Sequence, residues 1–169
     1  MYTPSYTPTG TERVVFETSK GRIEAELFGA AAPIHVGNFV ELVESGFYDE
    51  TKIHRFEPGF VAQGGDPLTK EASVEDVVSG RGRFGTGGPG HTIVGEFDLA
   101  KNPNRHIKGA LGMARSQDPN SAGSQFYFTL EPSHFLDGNY TVFGQVIEGI
   151  DAMESLRKGD VITSVTIIR

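Results

Sequence analysis

Arg55, Phe60 and Gln63 fall within nine residues of one another, inside the stretch Ile53–Asp66. Arginine stays protonated at any working pH, so Arg55 is a fixed fork of N–H donors and not a proton shuttle. Gln63 can donate and accept hydrogen bonds without changing charge. A permanent cation, a ring and a neutral amide are poorly suited to acid–base catalysis, which needs a group titrating near the working pH. They suit holding a neutral, polarisable group, such as an amide, against an apolar floor. The rest of the chain offers no rival chemistry. It has no cysteine, which removes disulfides, thiolate metal sites and cysteine nucleophiles together. His35, His54, His91, His106 and His134 show no ligand spacing, so no metal is expected. Gly80-Arg81-Gly82-Arg83-Phe84-Gly85 fits a dinucleotide-binding string, but Thr86–Gly90 cannot continue as the helix that string requires. Ser124 lacks the residues of a nucleophile elbow, and no pair of carboxylates stands out as an acid–base couple. Asn139-Tyr140-Thr141 matches a glycosylation string and is set aside for want of a secretory signal.

The elements that must position these side chains are mostly strands. Pro58–Gly59 reads as a tight turn between two short extended runs, and Gly64–Gly65 turns the backbone again. Arg13–Thr18 and Arg22–Phe28 are apolar or alternating runs joined by a hairpin turn at Ser19–Lys20–Gly21. Ala30–Ser45 is the clearest helix: Val36, Phe39, Val40 and Val43 share a face, Pro33 suits the first turn and Gly46 the stop. Its outer residues Glu41 and Glu44 read as a solvated face. Val74, Val77 and Val78 fit one helical turn, Phe84–Gly90 is a glycine loop, and Thr92–Glu96 is a short strand or turn. Further strands are expected at Ala110–Ala114, Gln125–Leu130, Thr141–Val146 and Val161–Ile168, with a turn at Asp137–Gly138. A second helix is expected over Gly149–Arg157. Alternation puts Gln125 and Tyr127 on one face of their strand and Phe126 and Phe128 in the core. The same rule sends Phe60 and Gln63 to opposite faces. Both reach one site only if Phe60 lies at the bend before the strand, or if a bulge intervenes. Many short strands and two helices suggest a mainly β fold, a closed antiparallel barrel or a sandwich.

The run His-Arg-Phe-x-Pro-Gly-Phe-x-x-Gln-Gly-Gly-Asp at His54–Asp66 resembles the signature of the cyclophilins, the peptidyl-prolyl cis-trans isomerases. The likeness continues at Met113–Ser116, at Gly123–Phe128 and at Phe135–Gly144, and runs from about Arg13 to the C-terminus. Four separated blocks in family order are far more specific than one motif. The resemblance implies a closed eight-stranded antiparallel β-barrel capped by two α-helices. It also implies an enzyme that rotates X–Pro peptide bonds, acts on proline-containing peptides and on unfolded or folding proteins, and needs no cofactor. By this similarity Arg55, Phe60 and Gln63 are the catalytic set. His54, Val61, Tyr127, Phe135, Leu136 and Tyr140 bind substrate, with Gln125 beside them. Backbone at Ala114, Arg115 and Ser116 pairs with the peptide, and Gly85 and Thr86 border a neighbouring pocket. Two positions depart from the family. Phe135 stands where many relatives carry Trp, which removes an indole donor and implies weak cyclosporin binding. Tyr140 stands for a frequent His and loses a titratable group. A peptide-binding module with little turnover is the competing reading, and a nucleotide-dependent enzyme is the third.

The chain's 169 residues suit one domain over residues 12–169, preceded by a loose polar arm at 1–11, and the resemblance to shorter cyclophilins implies a loop insertion at 67–83. With 22 acidic and 15 basic residues the net charge is −7, which argues against binding nucleic acid or an anionic membrane. No apolar run is long enough for a membrane span. A cytoplasmic monomer is the expectation.

Overall fold

The computed structural model describes residues 1–169. Nine strands form one antiparallel sheet. They are β1 (Arg13–Thr18), β2 (Gly21–Leu27), β3 (Thr51–Lys52), β4 (Arg55–Glu57), β5 (Val61–Gly64), β6 (Ala110–Met113), β7 (Phe126–Thr129), β8 (Val142–Glu148) and β9 (Val161–Ile168). Three α-helices accompany them: α1 (Pro33–Glu44), α2 (Val74–Ser79) and α3 (Ile150–Ser155). The strand order is β3-β9-β1-β2-β8-β6-β7-β5-β4. Its two edges are consecutive pieces of one stretch, since only Ile53 and His54 separate β3 from β4. Thr51 pairs with Ile162 at one edge, and Arg55 pairs with Gln63 at the other. The sheet therefore curls through a full set of ladders without a ladder between β3 and β4. This corrects the expected closed eight-stranded barrel with two helices to nine strands and three helices. The extra strand arises because one extended stretch serves two partners, and the extra helix is α2, within 67–83.

Local sequence accounts for most boundaries. Pro33 opens α1, and Gly46, at φ +77°, follows Ser45 where the helix stops. Val36, Phe39, Val40 and Val43 are buried, as their spacing dictates. Ser73 caps α2 by accepting from Asp76 N–H at 3.0 Å, and Gly80 ends it in the left-handed region. The core inside the curled sheet is aromatic. Phe16 meets Phe128 edge-on at 5.2 Å, and Phe39 packs on Phe143 at 5.1 Å and on Tyr48 at 5.2 Å.

Residues 1–11 are not a loose arm. Glu41 of α1 accepts from the Tyr2 hydroxyl at 2.5 Å and from the N–H groups of Ser5 and Tyr6 at 2.7 and 2.9 Å. Its expected role as an ordinary solvated residue is corrected by those three bonds. Gly37 lets the arm lie on the helix, for a Cβ there would stand 2.6 Å from the Tyr6 carbonyl oxygen. Glu12 is buried and accepts from the Tyr6 hydroxyl at 2.6 Å and from Thr9 and Gly10 N–H at 2.8 and 3.0 Å. Burial would raise its pKa, but these donors win and hold it at about 2.

Candidate active site

The β4–β5 hairpin builds the site. Phe60 N–H donates to Glu57 C=O at 3.0 Å, closing a turn whose central residues are Pro58 and Gly59, the latter at φ +71°. Phe60 therefore lies at the bend before β5, which removes the conflict that regular alternation created. Within β5, Ala62 points into the core while Val61 and Gln63 point the other way, and Gln63 stands opposite Tyr127. Phe126 and Phe128 are in the core, as alternation required.

Arg55, Phe60, Val61, Gln63, Ala114, Arg115, Tyr127, Phe135, Leu136 and Tyr140 line one cavity of about 320 Å³. Arg55 Nη1 donates to Gln63 Oε1 at 3.2 Å, and the guanidinium carbon lies 5.8 Å from the Phe60 ring centre. The cation is not sequestered: its nearest carboxylate, Glu57, is exposed and 3.9 Å away. Phe60 and Phe135 face each other at 5.4 Å and form one wall, with Phe135 itself 72% exposed. On the opposite side the Arg115 guanidinium lies 4.5 Å over Tyr140 and donates to Asn139 C=O through Nε and Nη2 at 3.0 and 2.7 Å. That side chain is thus held flat at the rim.

Tyr127 is anchored from beneath. Its hydroxyl donates to His106 Nε2 at 2.7 Å, and His106 Nδ1–H donates to Asp137 Oδ1 at 2.8 Å. Burial keeps His106 below its ordinary pKa, which preserves the acceptor at Nε2. Asp137 is drawn down to about 2, against its burial, by the His106 N–H and by the His134 and His106 rings. Sequence spacing gave no sign of this relay, since His106 and Asp137 lie 31 residues apart.

A second cavity of about 980 Å³ adjoins the first and shares Gln63, Ala114 and Arg115 with it. Gly85 and Thr86, expected beside a neighbouring pocket, line it together with Ser116 and Gln125. So do Met1, Tyr2, His91, Thr92 and Gly123, which sequence reasoning did not anticipate. Within the second cavity Gln125 accepts from Gln63 Nε2 at 3.1 Å and donates to Gly87 C=O at 2.9 Å. Backbone at Ala114–Ser116 is only partly free. Ala114 N–H donates to Gln125 C=O and Ser116 N–H to Ser121 Oγ, while the Arg115 N–H and C=O have no partner within the chain. His54 lines neither cavity. Both of its ring nitrogens are buried without a hydrogen bond, and burial pushes its pKa down.

A fixed cation, a neutral amide and an apolar slot share one cleft, an arrangement suited to holding a peptide amide. The chain belongs to the cyclophilin-type peptidyl-prolyl cis-trans isomerases: the family model described as "Cyclophilin type peptidyl-prolyl cis-trans isomerase/CLD" matches residues 13–169. A peptidyl-prolyl cis-trans isomerase of Helicobacter pylori is 40% identical over 92% of this chain and 86% of its own. Peptidyl-prolyl cis-trans isomerase B of Bacillus subtilis is 42% identical over 86% of this chain and 90% of its own. Among solved structures, a cyclophilin-type isomerase of Cryptosporidium parvum, crystallised in the presence of the dipeptide Ala-Pro, is 30% identical. It covers 93% of this chain and 99% of its own with a TM-score of 0.76. The protein is thus an isomerase of X–Pro peptide bonds.

Proposed function

We propose that catalysis proceeds by electrostatic stabilisation of the twisted amide at Arg55. An X–Pro bond resists rotation by ~18–20 kcal/mol because resonance gives its C–N bond double-bond character. Twisting the bond localises the lone pair on the prolyl nitrogen and makes that atom an acceptor. A catalyst need only bind this state better than either planar form. The Arg55 guanidinium, a permanent donor at the mouth of an apolar slot, is matched to that task. One charged hydrogen bond of ~1.5–3 kcal/mol supplies about ten- to a hundredfold in rate. Desolvation by Phe60, Val61, Tyr127, Phe135, Leu136 and Tyr140, with the proline ring held among them, supplies the remainder.

Gln63 donates to the substrate carbonyl, and Gln125 holds Gln63 in register. Peptide backbone pairs beside the slot at Arg115, the residue of 114–116 whose N–H and C=O are unengaged. The residue flanking the X–Pro pair enters the neighbouring cavity beside Gly85 and Thr86. His54, lining neither cavity, acts beneath the site and not on the peptide. The observation that carries this reading is the Arg55–Gln63 pair at 3.2 Å, both side chains opening on the same apolar slot.

Clients on this reading are proline-containing peptides and unfolded or folding proteins, so the enzyme assists folding. Cyclosporin binds weakly, for want of an indole at Phe135. The working unit is a monomer and its compartment the cytoplasm, in keeping with a polar, acidic chain. The test is the refolding of a protein whose slow phase is limited by proline isomerisation. The slow phase should quicken with added enzyme, and should quicken about tenfold less with Gln63→Ala, which loses the carbonyl bond. A slow phase indifferent to the enzyme, or equal acceleration by Gln63→Ala, contradicts the reading.

A further inference from the structure

The arm at residues 1–11 lies outside the stretch that the family model matches, yet it reaches the site. Tyr2 is its key contact. The Tyr2 ring stacks on His91 with centres 4.1 Å apart and planes 26° from parallel. Tyr2 N–H donates to Thr92 C=O at 2.7 Å, and its hydroxyl is tied to Glu41 on α1. His91 Nε2–H donates in turn to Asn38 Oδ1 at 2.7 Å, and Asn38 Nδ2 donates to Gly123 C=O at 2.9 Å on the facing wall.

These bonds matter because of what the Gly85–Thr92 loop is made of. Five of its eight residues are glycine or proline, so its course is set by anchors and not by side-chain packing of its own. One anchor is Asp66, whose Oδ2 accepts from Gly85 and Gly87 N–H at 2.6 and 3.2 Å. The other end is held by the arm, through Tyr2. Between the anchors the loop leans on Gly123, where a Cβ would stand 2.9 Å from Pro89 Cδ. The second cavity is the space this loop encloses, and Met1 and Tyr2 complete its outer wall.

We propose that the arm is a specificity element of the enzyme: Tyr2, held by Glu41, positions His91 and Thr92 and, with Met1, walls the cavity that receives the residue flanking the X–Pro pair. Affinity for peptides long enough to fill both cavities depends on the arm, while rotation of the X–Pro bond does not. Tyr2 is a positioning residue and touches no reacting atom. The proposal rests on the reading that the second cavity takes a flanking residue of the peptide substrate.

The experiment measures kcat and KM on two substrates, a minimal X–Pro peptide confined to the first slot and a longer one spanning both cavities. Glu41→Ala, which unties the arm without touching either cavity, should raise KM for the long peptide about three- to tenfold with kcat unchanged. Turnover of the minimal peptide should stay at the wild-type level. Tyr2→Ala should raise KM for the long peptide at least as much, and Tyr2→Phe, which keeps the stack on His91, should stay within about twofold of wild type. If Tyr2→Ala leaves KM for the long peptide unchanged, whatever its melting temperature does, the arm only stabilises the fold and the proposal is overturned. A wild-type enzyme whose KM is the same for both substrates removes the second cavity as a subsite, and the proposal goes with it.

Discussion

At the scale of single residues, Phe135 and the site's histidines make two claims. Phe135 keeps the ring that faces Phe60 and offers no N–H. Cyclosporin should therefore bind well short of nanomolar affinity, and Phe135→Trp should tighten it about three- to tenfold by restoring one donor. Isothermal titration of the two proteins decides it, and tight binding to the wild type contradicts it. The second claim concerns pH. Burial holds His54 and His106 below their ordinary pKa, so both stay neutral through neutral pH. Their protonation, when it comes, is confined to acid. The quotient kcat/KM should be level between about pH 7 and 8.5, and a bell centred near 7 would mean a proton-transfer step that this site does not provide.

At the scale of elements, β6 and β7 show how backbone choice protects the slot. Gly112 lies under the Tyr127 ring, and a Cβ there would overlap the phenol ring and its hydroxyl. Gly112→Ala should cost about 1–3 kcal/mol in urea unfolding, because the ring is tied to His106 and cannot move aside freely. A loss smaller than about 0.5 kcal/mol would show that the Tyr127–His106 tie is slack. The elements themselves were largely legible in the sequence. The face of α1, its Pro33 start and Gly46 stop, and the span of β9 follow from period and punctuation alone. The placing of Phe60 was legible as a condition, since alternation required either a bend before the strand or a bulge, and the Glu57–Phe60 turn supplies the bend. What could not be read were the partners that only the closed fold brings together. Glu41 looks like any outward glutamate until the arm, 35–39 residues away in sequence, lies across it. His106 and Asp137 look like loop residues until they meet beneath Tyr127. The resemblance pointed to His54 as a substrate contact, but it lines neither cavity, and both of its ring nitrogens are buried without a hydrogen bond.

At the scale of the whole molecule, two carboxylates join distant segments. Glu12 fastens the arm to the sheet, and Asp137 ties the loop before β8 to the segment before β6. Both are held at about 2, below their ordinary values of 4.5 and 3.8. A lowered carboxylate pKa stabilises the fold above the unfolded value and loses that contribution as pH falls through the folded one. The melting temperature should hold above about pH 5 and fall steadily from there toward pH 2. Glu12→Gln should blunt the fall, and a melting temperature level down to about pH 3 would contradict the assignment. The net charge of −7 predicts no retention on nucleic acid at physiological salt.

The account stands most directly on Arg55. The decisive measurement is cis–trans exchange of a proline peptide by wild type and Arg55→Ala, with peptide affinity recorded in parallel. A cation that acts only on the twisted amide predicts a rate about ten- to a hundredfold lower with peptide Kd nearly unchanged. If Arg55→Ala turns over as fast as wild type, or loses binding in step with rate, the guanidinium is not what lowers the barrier.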